Sequence, residues 1–121
     1  TGLEIDFLNG EPGVYSARYA GKDCKAEDNM NLVLQKLKAE ENRTAKFRTV
    51  IALIIDGTET LFEGECKGKI TENKSGVDGF GYDPIFTPKG YRITFAEMTK
   101  TEKGKISHRG KAVEKLVSFL K

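Results

Sequence analysis

The sequence predicts one α/β domain over residues 1–121, a mixed α+β sheet with flanking helices. Three observations carry this reading. Two segments rich in apolar and β-branched residues flank Asp56-Gly57, the pattern of a β-hairpin. Met30, Val33, Leu34 and Leu37 recur at helical spacing upstream of that pair. Thr99, followed three residues later by Glu102, forms a capping pattern ahead of an apolar run that reaches the C-terminus. Whether helices and strands alternate or segregate is not decided at this level.

The elements follow in order. Leu3, Ile5 and Phe7 alternate with Glu4 and Asp6, a period of two that predicts a half-buried strand. Asn9-Gly10 and Pro12-Gly13 break it into a loop. Residues 27–41 read as a helix whose polar side carries Lys36, Lys38 and Glu40. Residues 45–56 read as a long strand. Its second half, residues 50–55, is apolar on both sides, which predicts a central strand covered on both faces. Residues 60–70 supply the returning strand. Gly76, Gly79 and Gly81 mark residues 74–83 as a surface loop able to approach another group closely. Residues 91–95 read as a short extended piece. From Thr99 a single last helix is expected, with Ile106, Val113, Leu116, Val117 and Leu120 on one face.

Composition narrows the functional classes. With 38% hydrophobic and 31% charged residues the chain is expected to be globular and soluble. A domain of this length can bury about two-thirds of its unfolded surface. No apolar run approaches a membrane span and no signal peptide is recognised, so a cytoplasmic location is expected and no membrane partner. Twenty basic and eighteen acidic residues are interleaved, for a net charge of +2. That balance is unlike a phosphate-neutralising nucleic-acid surface, so basic residues are expected to act locally, in a pocket. Cys24 and Cys66 fit no zinc spacing and read as reduced thiols. A single histidine argues against a transition-metal site and leaves open a hard cation held by carboxylates and phosphates.

Three segments stand out chemically. Residues 79–84, Gly-Phe-Gly-Tyr-Asp-Pro, are neither a P-loop nor a dinucleotide fingerprint. They offer two aromatics and a carboxylate on a backbone freed by glycine, able to stack on a base and accept from a ring N–H, or merely to form a turn with Phe80 in the core. Residues 103–110 place Lys105, Ser107, His108 and Arg109 between Gly104 and Gly110, with Lys103 immediately before. Glycine costs about 1 kcal/mol relative to alanine in a helix, so the pair implies either close approach of a ligand or close packing. Residues 9–19 combine two glycines and a proline with Tyr15, Arg18 and Tyr19, and read most plainly as a loop that docks on another element or subunit.

Taken together, Thr1-Gly2-Leu3-Glu4, PGVYSARYAG (12–21), FRTVIAL (47–53), FEGECKGKI (62–70), GFGYDPIF (79–86) and ISHRG (106–110) resemble the inosine triphosphate pyrophosphatase family over the whole chain. Each string is weak alone; their order and spacing give the resemblance its weight. It implies hydrolysis of deaminated purine nucleoside triphosphates (ITP, dITP, XTP) to the monophosphate and pyrophosphate, with Mg²⁺ and a homodimer. It also implies that Phe80 stacks on the purine, that Gly81 and Tyr82 shape the loop, and that Asp83 contacts the base edge. Lys103, Ser107, His108 and Arg109 match binding residues near the last helix, and Thr1 matches a substrate-touching hydroxyl residue. A 6-oxopurine presents O6 as an acceptor and N1–H as a donor, the reverse of adenine. A pocket in which Arg109 donates to O6 would therefore leave mispaired groups with ATP, at about 1–3 kcal/mol each. Guanine shares both groups, so rejecting GTP would need a steric block near the 2-amino group.

The resemblance further implies that the aspartate serving as general base and Mg²⁺ ligand falls just before Thr1. A phosphate-binding segment with an asparagine and a lysine falls further upstream. On this reading the chain is the C-terminal part of the fold, with no catalytic and no metal-binding residue of its own. It is then expected to show little hydrolysis alone and to expose an unpaired sheet edge that favours self-association. The other reading kept open is a non-catalytic nucleotide-binding or dimerising module.

Overall fold

The computed structural model describes residues 1–77 and 81–121. Its centre is a four-stranded antiparallel sheet in the order β1 (Gly2–Ile5), β2 (Thr44–Ile55), β3 (Thr58–Ile70), β4 (Phe86–Pro88). The expected hairpin is β2–β3, in register from Thr44 opposite Lys69 to Ile55 opposite Thr58. Asp56 and Gly57 both have positive φ, 50° and 78°, which suits the twist of a two-residue hairpin turn. The first strand is shorter than its alternation predicts. It gives way at Asp6–Leu8 to a 3-10 turn, where Asn9 in the left-handed region sends the chain back.

All helices lie on one face of the sheet. α1 (Ala26–Lys36) contributes Met30, Val33 and the adjoining Leu37 to a core with Leu3, Ile5, Ala45, Phe47, Cys66 and Ile70. Arg43 closes the end of that helix: Nη1 donates to Leu37 O at 2.7 Å, Nε to Ile70 O at 2.8 Å and Nη2 to Thr71 O at 2.6 Å. Three charge-assisted bonds to carbonyls thus join the helix end to the end of β3.

The opposite face of the sheet is open. The expectation that the outer half of β2 is covered on both sides is overturned: Val50 and Ile54 are 44% and 66% exposed, and Leu61 on β3 is exposed beside them. The helices are too short to wrap the hairpin, so apolar residues that suit a buried strand face solvent. Nearer the base, the same face carries charge instead, with Arg48 Nη2 donating to Glu63 Oε2 at 3.1 Å and Lys46 to Glu65 Oε1 at 3.4 Å.

Two further expectations change. Residues 91–95 form no strand; Phe95–Glu97 is a 3-10 turn, and the fourth strand is instead Phe86–Pro88, too short to show alternation. The single last helix is two, α2 (Lys100–Ile106) and α3 (His108–Leu120), separated by Ser107 in an extended conformation. The Thr99–Glu102 capping box is present, with Glu102 N donating to Thr99 Oγ1 at 3.1 Å. Ser107 then caps α3 in turn, accepting from Gly110 N at 3.0 Å. Consequently α3 buries His108 and Ala112, while Val113, Val117 and Leu120 of the expected apolar face are exposed. The outer edge of β1 is covered by the loop of residues 11–16, with Leu3 N donating to Ser16 Oγ and Ile5 N to Glu11 O, whereas among the described residues β2 beyond Arg48 and β3 before Gly68 have no strand on their outer sides.

Candidate functional site

Local chemistry puts the candidate side chains where three chain reversals meet. Pro84 sits in the 3-10 turn Asp83–Ile85, which carries the carboxylate of Asp83 into the interior. The Ser107 cap turns the chain between α2 and α3, so that Lys103 and the pair His108–Arg109 approach the same space from two helices. Gly110 makes this corner possible, since a Cβ there would lie 2.5 Å from Gly104 O. Gly64 does the same for the sheet: a Cβ on it would lie 2.1 Å from His108 O and 2.6 Å from Ala112 N. The glycine at residue 110 is therefore explained by packing.

These reversals line a half-open cavity of about 790 Å³, bounded by β1, Phe47 of β2, the 3-10 turn Gly13–Arg18, α1, the turn before β4 and the α2–α3 corner. Thr1, Gly81, Tyr82, Asp83, Lys103, Ser107, His108 and Arg109 all line it. Phe80, expected as the stacking residue, lies outside the described residues. Residues that sequence reasoning did not single out for the site also line it, among them Asn29, Phe47, Phe95 and Lys100. Asn29 had one available signal, a polar residue on the apolar face of a predicted helix. Phe47 had none beyond its apolar character.

The floor is aromatic. Phe47 stacks on His108 at 4.8 Å and 17°, and meets Phe86 at 4.6 Å and Phe95 at 5.8 Å. Above it, among the described residues, Lys100, Lys103 and Arg109 stand against one carboxylate, Asp83. Lys103 Nζ donates to Asp83 Oδ2 at 2.5 Å and lies 5.4 Å from the centre of the Phe95 ring. Burial first, then the charges of Arg109, Lys103 and the chain's amino group, hold the His108 imidazole down at about 4, so it is neutral at pH 7. Its Nδ1 is buried and has no hydrogen-bond partner among the described residues. Tyr82 donates its hydroxyl to Ser16 O at 2.6 Å, and burial keeps that phenol protonated well above its ordinary range. Thr1 Oγ1 shares a 2.9 Å hydrogen bond with Thr49 Oγ1. The loop of residues 9–19, read from sequence as a docking loop, docks on β1 and α1.

Among the described residues no three His, Cys, Asp or Glu side chains are grouped to hold a metal ion. Asp83 is already engaged by an ammonium group, so these residues do not by themselves fit a protein-held Mg²⁺.

Fold and cavity together define a mixed α/β protein with a basic pocket floored by aromatic rings, suited to a flat, electron-rich, anionic ligand. The Ham1 family profile matches residues 1–119, and the chain belongs to that family, as the six sequence segments predicted. Over 120 residues it is 55% identical to the dITP/XTP pyrophosphatase of Flavobacterium johnsoniae, covering 99% of this chain and 62% of that protein. It is also 55% identical to the dITP/XTP pyrophosphatase of Christiangramia forsetii, covering 99% and 63%. The solved Staphylococcus aureus Ham1 protein superimposes with a TM-score of 0.95 at 45% identity, covering 98% of this chain and 62% of that one. A HAM1 protein from Coxiella burnetii gives 0.94 at 40%, covering 98% and 63%. The chain thus spans a little under two-thirds of the length of these relatives. No helix among the described residues is long and apolar enough to cross a membrane.

Proposed function

We propose that this chain supplies the base-binding side of a nucleoside triphosphate pyrophosphatase of the cytoplasmic nucleotide pool. The enzyme cleaves ITP, dITP and XTP to the monophosphate and pyrophosphate. The observation that carries the reading is the convergence of Lys103, His108 and Arg109 with Asp83 over the Phe47 floor. A purine fits such a pocket. Arg109 donates to O6, and the orphaned Nδ1 of His108 is the kind of buried polar atom that a bound ligand would satisfy. Adenine, with an amino group at that position, would set donor against donor, and about 1–3 kcal/mol per mispaired group separates the two bases. The names of the relatives support the substrate class. Mg²⁺ would accompany the triphosphate in this proposal and offset its charge. Two copies associate through the exposed apolar half of the β2–β3 hairpin.

A second reading, nucleotide binding without chemistry by this chain, is favoured by one observation: Asp83, the one carboxylate that lines the cavity among the described residues, is ion-paired with Lys103. Two measurements on the chain test both readings. Calorimetric titration with inosine triphosphate and ATP is expected to show at least tenfold tighter binding of the inosine nucleotide, since about 1.4 kcal/mol is tenfold. Equal affinity would remove the base pocket from the account. Pyrophosphate release with Mg²⁺ then separates the two readings, because turnover selective for inosine triphosphate supports the enzyme and binding without release supports the module.

A further inference from the structure

We infer that Asn29 is a positioning residue, the centre of a polar brace that ties the Gly13–Arg18 wall of the cavity to the base-proximal turn through Tyr82. The inference rests on the nucleotide-binding reading above and deepens it. Asn29 is 4% exposed on the inward face of α1, a place that otherwise takes Met30 and Val33. Its carboxamide is fully used on backbone: Oδ1 accepts from Ala20 N at 2.8 Å, and Nδ2 donates to Ala17 O at 2.9 Å and Ser16 O at 3.3 Å. Ser16 O also accepts the Tyr82 hydroxyl at 2.6 Å. The Ser16 hydroxyl donates to Gly13 O at 2.7 Å and accepts from Leu3 N at 2.9 Å. One partly buried hub, centred on the buried side chains of Asn29 and Tyr82, therefore joins α1, the wall at Ser16–Ala17, the strand that follows Thr1, and the turn that carries Asp83.

Only a primary amide offers an acceptor and two donors at this size. A carboxylate at residue 29 would keep the acceptor and set negative charge against two carbonyls. The Gly13–Arg18 turn is not part of the sheet ladder, so its position depends on this hub and on the close seat that Gly2 leaves for Gly13 O. Buried polar networks in which every member is satisfied specify one arrangement, and their members act together rather than independently. Asn29 thus acts through the wall and through Tyr82.

The test uses the full chain with Asn29→Asp, Tyr82→Phe and the double variant. Inosine triphosphate affinity is read by calorimetry, and amide hydrogen exchange is read at Leu3 and Ala20. Each single variant is expected to weaken binding about tenfold, and the double variant by clearly less than the product, the signature of coupled residues. Tyr82→Phe removes one hydroxyl and leaves the core volume, so it keeps the test open should Asn29→Asp fail to fold. In that variant exchange is expected to accelerate about tenfold at both Leu3 and Ala20, whose amides donate to Ser16 and Asn29 rather than to Tyr82. Unchanged exchange at both amides, or strictly additive losses of affinity, would overturn the brace. Should the unmodified chain not bind inosine triphosphate, the functional reading falls and exchange alone decides the brace. Acceleration at both amides would support it, and no change would overturn it.

Discussion

Lys103 Nζ lies 2.5 Å from Asp83 Oδ2, and this ion pair joins α2 to the turn that leads into β4. The carboxylate side chain is only 6% exposed and the lysine 21%, so the pair sits where loss of one partner is felt. Replacing Lys103 with methionine keeps much of the volume and removes the charge beside a buried carboxylate. The expected loss is about 2–3 kcal/mol of stability, below the usual 3–5 for a fully buried pair because the lysine is partly hydrated. A urea titration of Lys103→Met against the unmodified chain checks it. A shift under 0.5 kcal/mol would mean that the pair is no anchor.

Gly64 and Gly104 should respond in opposite directions. A Cβ on Gly64 meets backbone atoms of α3 at 2.1 and 2.6 Å, and backbone cannot swing aside. Gly64→Ala is expected to cost about 1–3 kcal/mol and to displace His108 from Phe47. A Cβ on Gly104 meets nothing within 4 Å, and the residue is inside α2. Gly104→Ala is expected to gain roughly 0.5–1 kcal/mol, because alanine loses less backbone freedom on folding. Chemical denaturation of both variants reads the two signs.

The His108 imidazole is held at about 4, below its ordinary 6.5. The unfolded chain therefore takes up a proton between pH 6.5 and pH 4 that the folded chain refuses. Stability from this residue is complete above pH 6.5, falls as the pH drops, and levels off below about 4, for a total of up to about 3 kcal/mol. Denaturation midpoints across that range should fall more steeply for the unmodified chain than for His108→Gln. Parallel profiles would show that His108 is not the titrating group.

The open half of the hairpin leads to a prediction about assembly. Val50, Ile54 and Leu61 expose apolar surface on a sheet face that no helix covers. Sedimentation velocity is expected to show self-association of the chain at micromolar concentration, and Ile54→Glu with Leu61→Glu should return it to monomer. A monomer before the substitutions would show that this surface does not pair two copies.

Local signals made much of the fold legible. Asp56-Gly57 has a short-range requirement, positive φ at both residues, and the hairpin follows from it. The Thr99–Glu102 capping box is likewise a matter of four consecutive residues. The spacing of Met30, Val33 and Leu37 marked the inward face of α1 because a helix of three turns has one buried stripe. The fourth strand failed the same kind of reading, since three residues carry no period. Of the site, His108 and Arg109 were visible in a polar cluster bracketed by Gly104 and Gly110, with Lys103 immediately before it. Phe47 was not, and Asn29 showed only as a polar residue on an apolar helix face, because their roles depend on contacts with His108 in one case and with Ala20 and Ser16 in the other.

By itself, then, the sequence determined the family, the hairpin, the two longer helical regions and the chemical character of the pocket, all of which reside in neighbouring residues or in ordered strings. Tertiary structure alone decided which apolar faces are covered. Val50 and Ile54 have the composition of a buried strand, and Val113 and Val117 have the spacing of a buried stripe, yet all four are exposed. Periodicity reports that a face is apolar; only the seat of α3, set by Gly64 and by the Ser107 cap, determines what lies against it.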